Sequence, residues 1–301
     1  MNSARKRTRL FTRILAVGYL LGIAGCSEWP AEGTLSPTSD IESSAVIKTS
    51  EGRSGKKKLQ PLRRIPYSVK DGATTATAYS GAKSALSDLN DELEHIANNH
   101  PNGSARSAIS DAMTDAQAAM SKLNNGDGSG ALGDMANAKS DIQGAIGNGL
   151  INSTQGSQLI AECNAIESAI DNNSTAGSLC EGTTKNLWLE SSIGGLISHC
   201  GHKIEVPQNA LPQDAQMAIT LDDTGYIIAH LGPNGWFSSQ VKVVIPYANA
   251  DLGNGDPNDL VVAWLDESTN NWVSVGGSAD QGAQTVSAWV WHFTQYTLSY
   301  D

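Results

Sequence analysis

Between residues 82 and 170 apolar side chains return at alternating steps of three and four. Four stripes result: Ala82, Leu86, Leu89, Leu93, Ile96; Ile109, Met113, Ala116, Met120, Leu123; Met135, Ala138, Ile142, Ala145; and Leu159, Cys163, Ile166, Ile170. That spacing keeps one face of an α-helix apolar. The breaks between stripes, Pro101-Asn102-Gly103, Asn125-Gly126-Asp127-Gly128 and Gly147-Asn148-Gly149, carry helix-stopping chemistry. Links this short turn successive helices antiparallel, so residues 75–172 are expected to form a small up-and-down four-helix bundle. The stripes read as core. They contain no His or carboxylate, so the bundle interior offers no ligand set for a metal.

After a Ser/Thr/Gly/Asn stretch at 172–184 the period changes to two. Met217-Ala218-Ile219-Thr220-Leu221, Val241-Lys242-Val243-Val244-Ile245 and Thr285 to Val290 alternate, punctuated by turn clusters such as Gly232-Pro233-Asn234-Gly235 and Gly253-Asn254-Gly255-Asp256-Pro257. Short strands with such turns predict an antiparallel β-sandwich. The fold class is therefore multidomain, α then β: a bundle over 71–178 and a sandwich over 179–301, each long enough to own a core.

The N-terminal region changes the picture from fold to address. Arg5, Lys6, Arg7, Arg9 and Arg13 precede a short apolar run, Ile14 to Gly25, ending at Cys26. The run is too short to span a bilayer and reads as an export signal, residues 1–25. Ile23-Ala24-Gly25-Cys26 resembles a bacterial lipobox, which implies that Cys26 becomes the lipidated N-terminus; Ser27 after it resembles lipoproteins sent to the outer membrane. Residues 26–70 are Ser/Thr/Pro/Gly-rich and poor in large apolar side chains, and are expected to be a disordered basic tether. Loss of the five cationic residues of the signal takes the net charge from −11 to −16. Residues 71–301 hold seven Lys/Arg against twenty-six Asp/Glu, a charge that repels phosphate backbones and excludes nucleic acid as a partner. The tether's Lys56-Lys57-Lys58 and Arg63-Arg64 suit anionic headgroups, or simply solvent.

Within the β region a family resemblance emerges. Gly194-Gly195, then Ile204-Glu205-Val206-Pro207-Gln208-Asn209-Ala210-Leu211, and at the end Trp272-Val273 with His292-Phe293-Thr294-Gln295-Tyr296, resemble the ZU-five domain of ankyrins, netrin receptors and bacterial surface proteins. Asn209 stands where that family often has Gly, and Thr294 where it usually has Ser. The resemblance covers residues 186–301 and implies a sandwich used for protein interaction or scaffolding. Because some relatives cleave themselves between the Phe and the Ser, it also implies self-processing at Phe293-Thr294, with the Thr294 hydroxyl as nucleophile and His292 handling the proton. Against that, Val286, Ala288, Val290, His292, Thr294, Tyr296, Leu298 and Tyr300 alternate as one long strand without Gly or Pro. Strands usually run about five or six residues, so a bend or bulge near His292 is expected.

Other candidate chemistry is sparse. Trp289 and Trp291 point to the face opposite Val286 and Val290, where two rings side by side suit stacking on sugar rings, or else pack at a core or edge. Asn125, Asp127 and Ser129 have the oxygen spacing that opens a calcium loop, but its twelfth position is Ala136; helix capping explains the same residues. Export favours disulfides, and with Cys26 acylated and Cys163 at a core step, Cys180 and Cys200 are expected to pair. No Gly-rich phosphate loop, zinc spacing or Ser-His-Asp pattern occurs, so neither a cofactor nor ordinary enzyme activity is expected. The sequence thus describes a lipid-anchored envelope protein that presents a sandwich to an envelope protein or glycan. Cys26→Ala should release it from membranes; retention in the membrane fraction after a high-salt wash, which removes tether electrostatics, defeats the lipoprotein reading.

Overall fold

The computed structural model describes residues 58–65, 78–174 and 176–301. The signal, Cys26 and the tether up to residue 57 lie outside the described residues.

Four long helices come first: α1 (Ser80–Asn99), α2 (Gly103–Asn124), α3 (Gly128–Gly147) and α4 (Ser153–Asp171), followed by the short α5 (Ala176–Cys180). Each link carries its own cap. Asn102 Oδ1 accepts from the Ser104 and Ala105 amides at 2.9 and 3.4 Å, Asp127 from Gly130 at 2.8 Å, and Asn152 from Thr154 and Gln155 at 2.8 and 3.4 Å. α1 packs on α2, α2 on α3, α3 on α4, and α4 closes on α1, an up-and-down bundle. The expected stripes are its core, with one rotation. In α2 the buried positions are Ala105, Ile109, Ala112, Ala116, Ala119 and Leu123, while Met113 and Met120 sit at the margin. Alanines let the α2 and α3 backbones approach closely, so the contact line shifts towards them. None of the described helices is long and apolar enough to cross a membrane.

Nine strands then form an antiparallel sheet: β1 (Thr184–Leu189), β2 (Gly195–His199), β3 (His202–Val206), β4 (Ala215–Leu221), β5 (Ile228–Pro246), β6 (Leu260–Asp266), β7 (Asn271–Gly276), β8 (Ser278–Asp280) and β9 (Thr285–Tyr300). The order runs β1-β4-β5-β9-β6-β7, with β2-β3 joined to β5 and β8 to β9. β5 changes partner along its length: Ala229 to Gly232 pair with β4, Lys242 to Val244 with β3. The sheet thus folds over itself about β5 and β9, and β2 packs across β1 and β4. Ile197, Ile204, Val243 and Ala288 lie between, with Leu187, Met217 and Ile219. At the entry to β2, Gly194 has φ +78° and a Cβ there would meet the Val206 carbonyl oxygen at 2.3 Å. Asn209 has φ +61°, a left-handed conformation that Asn tolerates as Gly does.

Two features differ from expectation. Residues 58–65, inside the stretch read as a disordered tether, run along the sheet: Leu59 is buried, the Leu62 amide donates to the Leu298 carbonyl at 2.9 Å, and Arg64 to Gly225 at 2.9 Å. A few apolar side chains suffice because the backbone finds ready acceptors. The other is that α1 buries carboxylates beside its apolar stripe. Asp88 accepts from Ser198 Oγ at 2.7 Å and from the amides of Cys200 and Gly201 at 2.5 and 3.2 Å; Glu92 accepts from the Ser198 amide at 2.8 Å. Lys185 of β1 answers them, 2.7 Å from Glu92 and 2.5 Å from Glu162 of α4. Burial raises Asp88, Glu92 and Glu162 above the ordinary carboxylate range, and the carboxylates raise Lys185 against its own desolvation.

A carboxyl raised on folding stabilises fully below its unfolded value, and that contribution fades as pH rises through the folded value. Lys185→Met strips the counter-charge, which raises the carboxyls further. Its penalty should be about 3–5 kcal/mol near neutrality and should shrink as pH falls towards the model-peptide range of carboxyls. A melting series from neutral to acid pH checks this; a penalty independent of pH refutes it.

Candidate functional site

β5 and β9 pair along nearly their whole length, but the register slips twice, between His230 and Gly235 and between Trp236 and Val241. Both slips place the extra residues in β5. Gly232-Pro233-Asn234-Gly235, expected as a turn between strands, is therefore a bulge inside one strand, because a Gly/Pro run that cannot complete a ladder is tolerated where the strand bends. The bend expected near His292 lies there, with a slip on either side of it.

The side chains follow the bend. Val286, Ala288 and Val290 are buried while Trp289 and Trp291 are 48 % and 49 % exposed. The expected face keeps its phase, since Thr294, Tyr296 and Leu298 continue the buried series of Val286, Ala288 and Val290; what changes beyond His292 is that Phe293, Thr297 and Ser299 of the other face are buried as well. Phe293 meets Phe237 edge-to-face at 4.6 Å inside. Outside, Trp236 is the cross-strand partner of His292 and is 71 % exposed. The His292 ring stands edge-on to two indoles, 4.9 Å from Trp236 and 4.7 Å from Trp264. Burial lowers its pKa, which keeps the ring neutral at pH 7.

Register also shows what flanks the rings. Leu196, Glu205, Lys242 and Trp289 are successive cross-strand partners and so share one face of the sheet. α1 covers that face at β2, and Lys203 of β3 pairs with its Asp91 at 2.8 Å. Lys242 and Glu205 form a 3.4 Å ion pair beside Trp289, and the bulged stretch Phe237–Gln240 lies opposite Trp291. The exposed rings thus stand among Ser238, Ser239, Gln240, Lys242 and Glu205.

The pair named for self-processing is differently engaged. Thr294 Oγ1 donates to the Leu265 carbonyl at 3.4 Å and to Glu267 at 3.2 Å, and the Tyr296 hydroxyl donates to the His292 carbonyl at 2.5 Å. Among the described residues no hydrogen bond joins the His292 ring to Thr294. The calcium candidates are caps: Asn125 ends α2, Asp127 starts α3 with Lys122 at 3.7 Å, and Ser129 is an exposed first-turn residue. Asp256 likewise caps the 3-10 turn Pro257–Asp259 through the Asn258 amide at 2.9 Å. Cys180 and Cys200 form a disulfide, and Cys163 is a buried thiol that desolvation pushes up to about 12. Asp88, His199 and Cys200 have metal-ligand types close together, but Cys200 is oxidised and Asp88 is committed to amides.

No family model, curated protein or solved structure matches this chain. The likeness of residues 186–301 to the ZU-five domain rests on its sequence motifs. Trp236 was hidden in sequence by the turn-like run before it; the signal that could have found it was the absence of any second turn before Pro246.

With Thr294 bonded to Glu267, the Phe293-Thr294 bond should stay intact, and Thr294→Ala should change the chain mass only by the substitution. Denaturing mass spectrometry showing wild-type chains cut at that bond, and Thr294→Ala chains whole, overturns this.

Proposed function

We propose that this chain is an envelope-anchored binding protein, held by lipid on Cys26, whose sheet engages glycan chains through Trp236, Trp289 and Trp291. The observation that carries the reading is the exposure of these three tryptophans on the paired strands β5 and β9, 71 % for Trp236 and nearly half for Trp289 and Trp291. Leaving three large aromatic faces in water forgoes burial worth about 1.5–3 kcal/mol for a large apolar side chain, so a ligand that covers them is the economical explanation.

The neighbours favour sugar over a protein partner. A protein interface core gathers contiguous apolar side chains. Among the described residues the other exposed large apolar side chains are Tyr226 and Val273, with no Leu, Ile, Met or Phe. Flat rings separated by Ser, Gln and a Lys-Glu pair instead match a ligand with apolar ring faces and hydroxyl edges. The acidic body suits neutral better than anionic saccharides. The scaffold role implied by the ZU-five resemblance would use the same surface with a protein as occupant.

The double variant Trp289→Ala/Trp291→Ala should keep the wild-type melting temperature and lose at least tenfold in retention on insoluble envelope polysaccharide. Equal retention defeats the glycan reading. Loss of binding to a purified envelope protein, with polysaccharide retention absent in the wild type, would favour the scaffold reading.

A further inference from the structure

A second cleft lies between α1, the β2-β3 hairpin and the ordered arm of residues 58–65. It encloses about 390 Å³. Two buried cationic or ionisable side chains line it without partners. Arg64 is 9 % exposed, and among the described residues its Nη2 has no acceptor. His202 is 5 % exposed, and among the described residues neither ring nitrogen makes a well-formed hydrogen bond, the backbone of Cys200 and His199 acting only weakly on the ring. Three orphaned polar atoms in one cleft are unusual, since buried polar groups are nearly always satisfied.

The other charges facing the cleft are accounted for. Asp88 spends its oxygens on Ser198, Cys200 and Gly201, and Lys203 is paired with Asp91 at 2.8 Å. Among the described residues Arg64 takes part in no ion pair. Asp88 also lines the cleft, yet no salt bridge joins it to Arg64. The arm's position explains why the guanidinium cannot retreat: the amides of Arg64 and Ile65 donate to Gly225 and Asn249, at 2.9 and 2.6 Å. The backbone is pinned while the side chain lacks an acceptor.

From this geometry we propose that the cleft is a binding site for a small oxyanion, a phosphate or a carboxylate, held by Arg64 and His202. A guanidinium presents donors in a fork that matches either group. Burial, and after it the Arg64 charge, pushes the His202 imidazole down to about 3, so the ring is neutral, with one N–H to donate and one lone pair. An oxyanion accepts from both residues, and the volume suits a small molecule. The site is separate from the tryptophan surface and does not depend on the glycan reading.

The test is thermal unfolding of the full chain in inorganic phosphate, in acetate and in chloride at one ionic strength, for the wild type and Arg64→Met. The variant keeps the packing of the stem and removes the unpartnered charge. Phosphate or acetate should raise the wild-type melting temperature by about 3–6 °C at roughly ten times the dissociation constant. A rise in phosphate alone assigns the site to phosphate groups, and a rise in acetate alone to carboxylates. Arg64→Met should lose the rise and, in chloride, melt no lower than the wild type. No rise over chloride in the wild type, or the same rise in Arg64→Met, overturns the proposal. Should Arg64→Met melt too early to titrate, His202→Phe, which keeps a planar ring without nitrogens, takes its place under the same criteria. Trp289→Ala/Trp291→Ala should keep the rise, which separates this site from the glycan surface.

Discussion

The whole arrangement hangs on two carboxylates of α1 that are buried against the β2-β3 hairpin. The hairpin turns through Cys200 and Gly201, with φ of +52° and +79°, and a non-Gly residue there is strained. Asp88 accepts the amides of both turn residues and Glu92 that of Ser198, so a helix supplies acceptors to amides that would otherwise be buried orphans. The Cys180–Cys200 disulfide ties the same turn to the end of α5. Lys185 then offsets the charge. Burial, and after it the excess of carboxyls over the one ammonium, raises both Glu92 and Glu162, so the group titrates as a coupled set. Buried ion pairs are weak stabilisers. What this one provides is position: only one placement of the bundle meets all the amides.

That placement decides which surfaces remain open. α1 covers the sheet face over β2, and the row Leu196, Glu205, Lys242, Trp289 emerges from beneath it as it reaches β5 and β9. The same docking leaves a cleft on each side of Asp88. One, of about 430 Å³, is lined by Lys185, Glu162 and the disulfide, and although Glu162 Oε2 lacks a partner, its opposite charges pair with each other. The other holds Arg64 and His202, which do not. Similar volume and shared walls therefore lead to different chemistry. Unfilled hydrogen-bonding capacity, more than size, is what distinguishes a ligand site from an interface gap.

Much of this was readable along the chain, for reasons particular to each element. A four-helix bundle buries one stripe per helix, so the steps of three and four at Leu86, Leu89, Leu93 and at Met135, Ala138, Ile142 suffice to place it. The second buried face of α1 was not readable: Asp88 and Glu92, four apart, look like any solvated helix face, and only the distant Ser198, Cys200 and Lys185 give them partners. The like-charged i, i+4 spacing, mildly unfavourable in an isolated helix, was the one local hint. The alternation along β9 that exposes Trp289 and Trp291 was legible, but the bulges on either side of His292 were not, because their extra residues lie in β5. Arg64 read only as a tether cation for headgroups or solvent, and its burial comes from an arm whose few apolar residues resemble a linker.

The position of the tryptophans at a bend is itself informative. In a straight strand successive side chains alternate, so Trp291 and His292 would face opposite sides and one would enter the core. Beside the bulges in β5 the core is open at His292: Trp291 is half-exposed, His292 is only half-buried and meets Trp236 and Trp264, and Phe293 is buried against Phe237. Unpaired bulge residues must also satisfy their amides outside the ladder, which favours the polar Ser238-Ser239-Gln240 run found there. The irregularity thus leaves Trp236 exposed on the side of His292 and places hydrogen-bonding groups next to it in the strand.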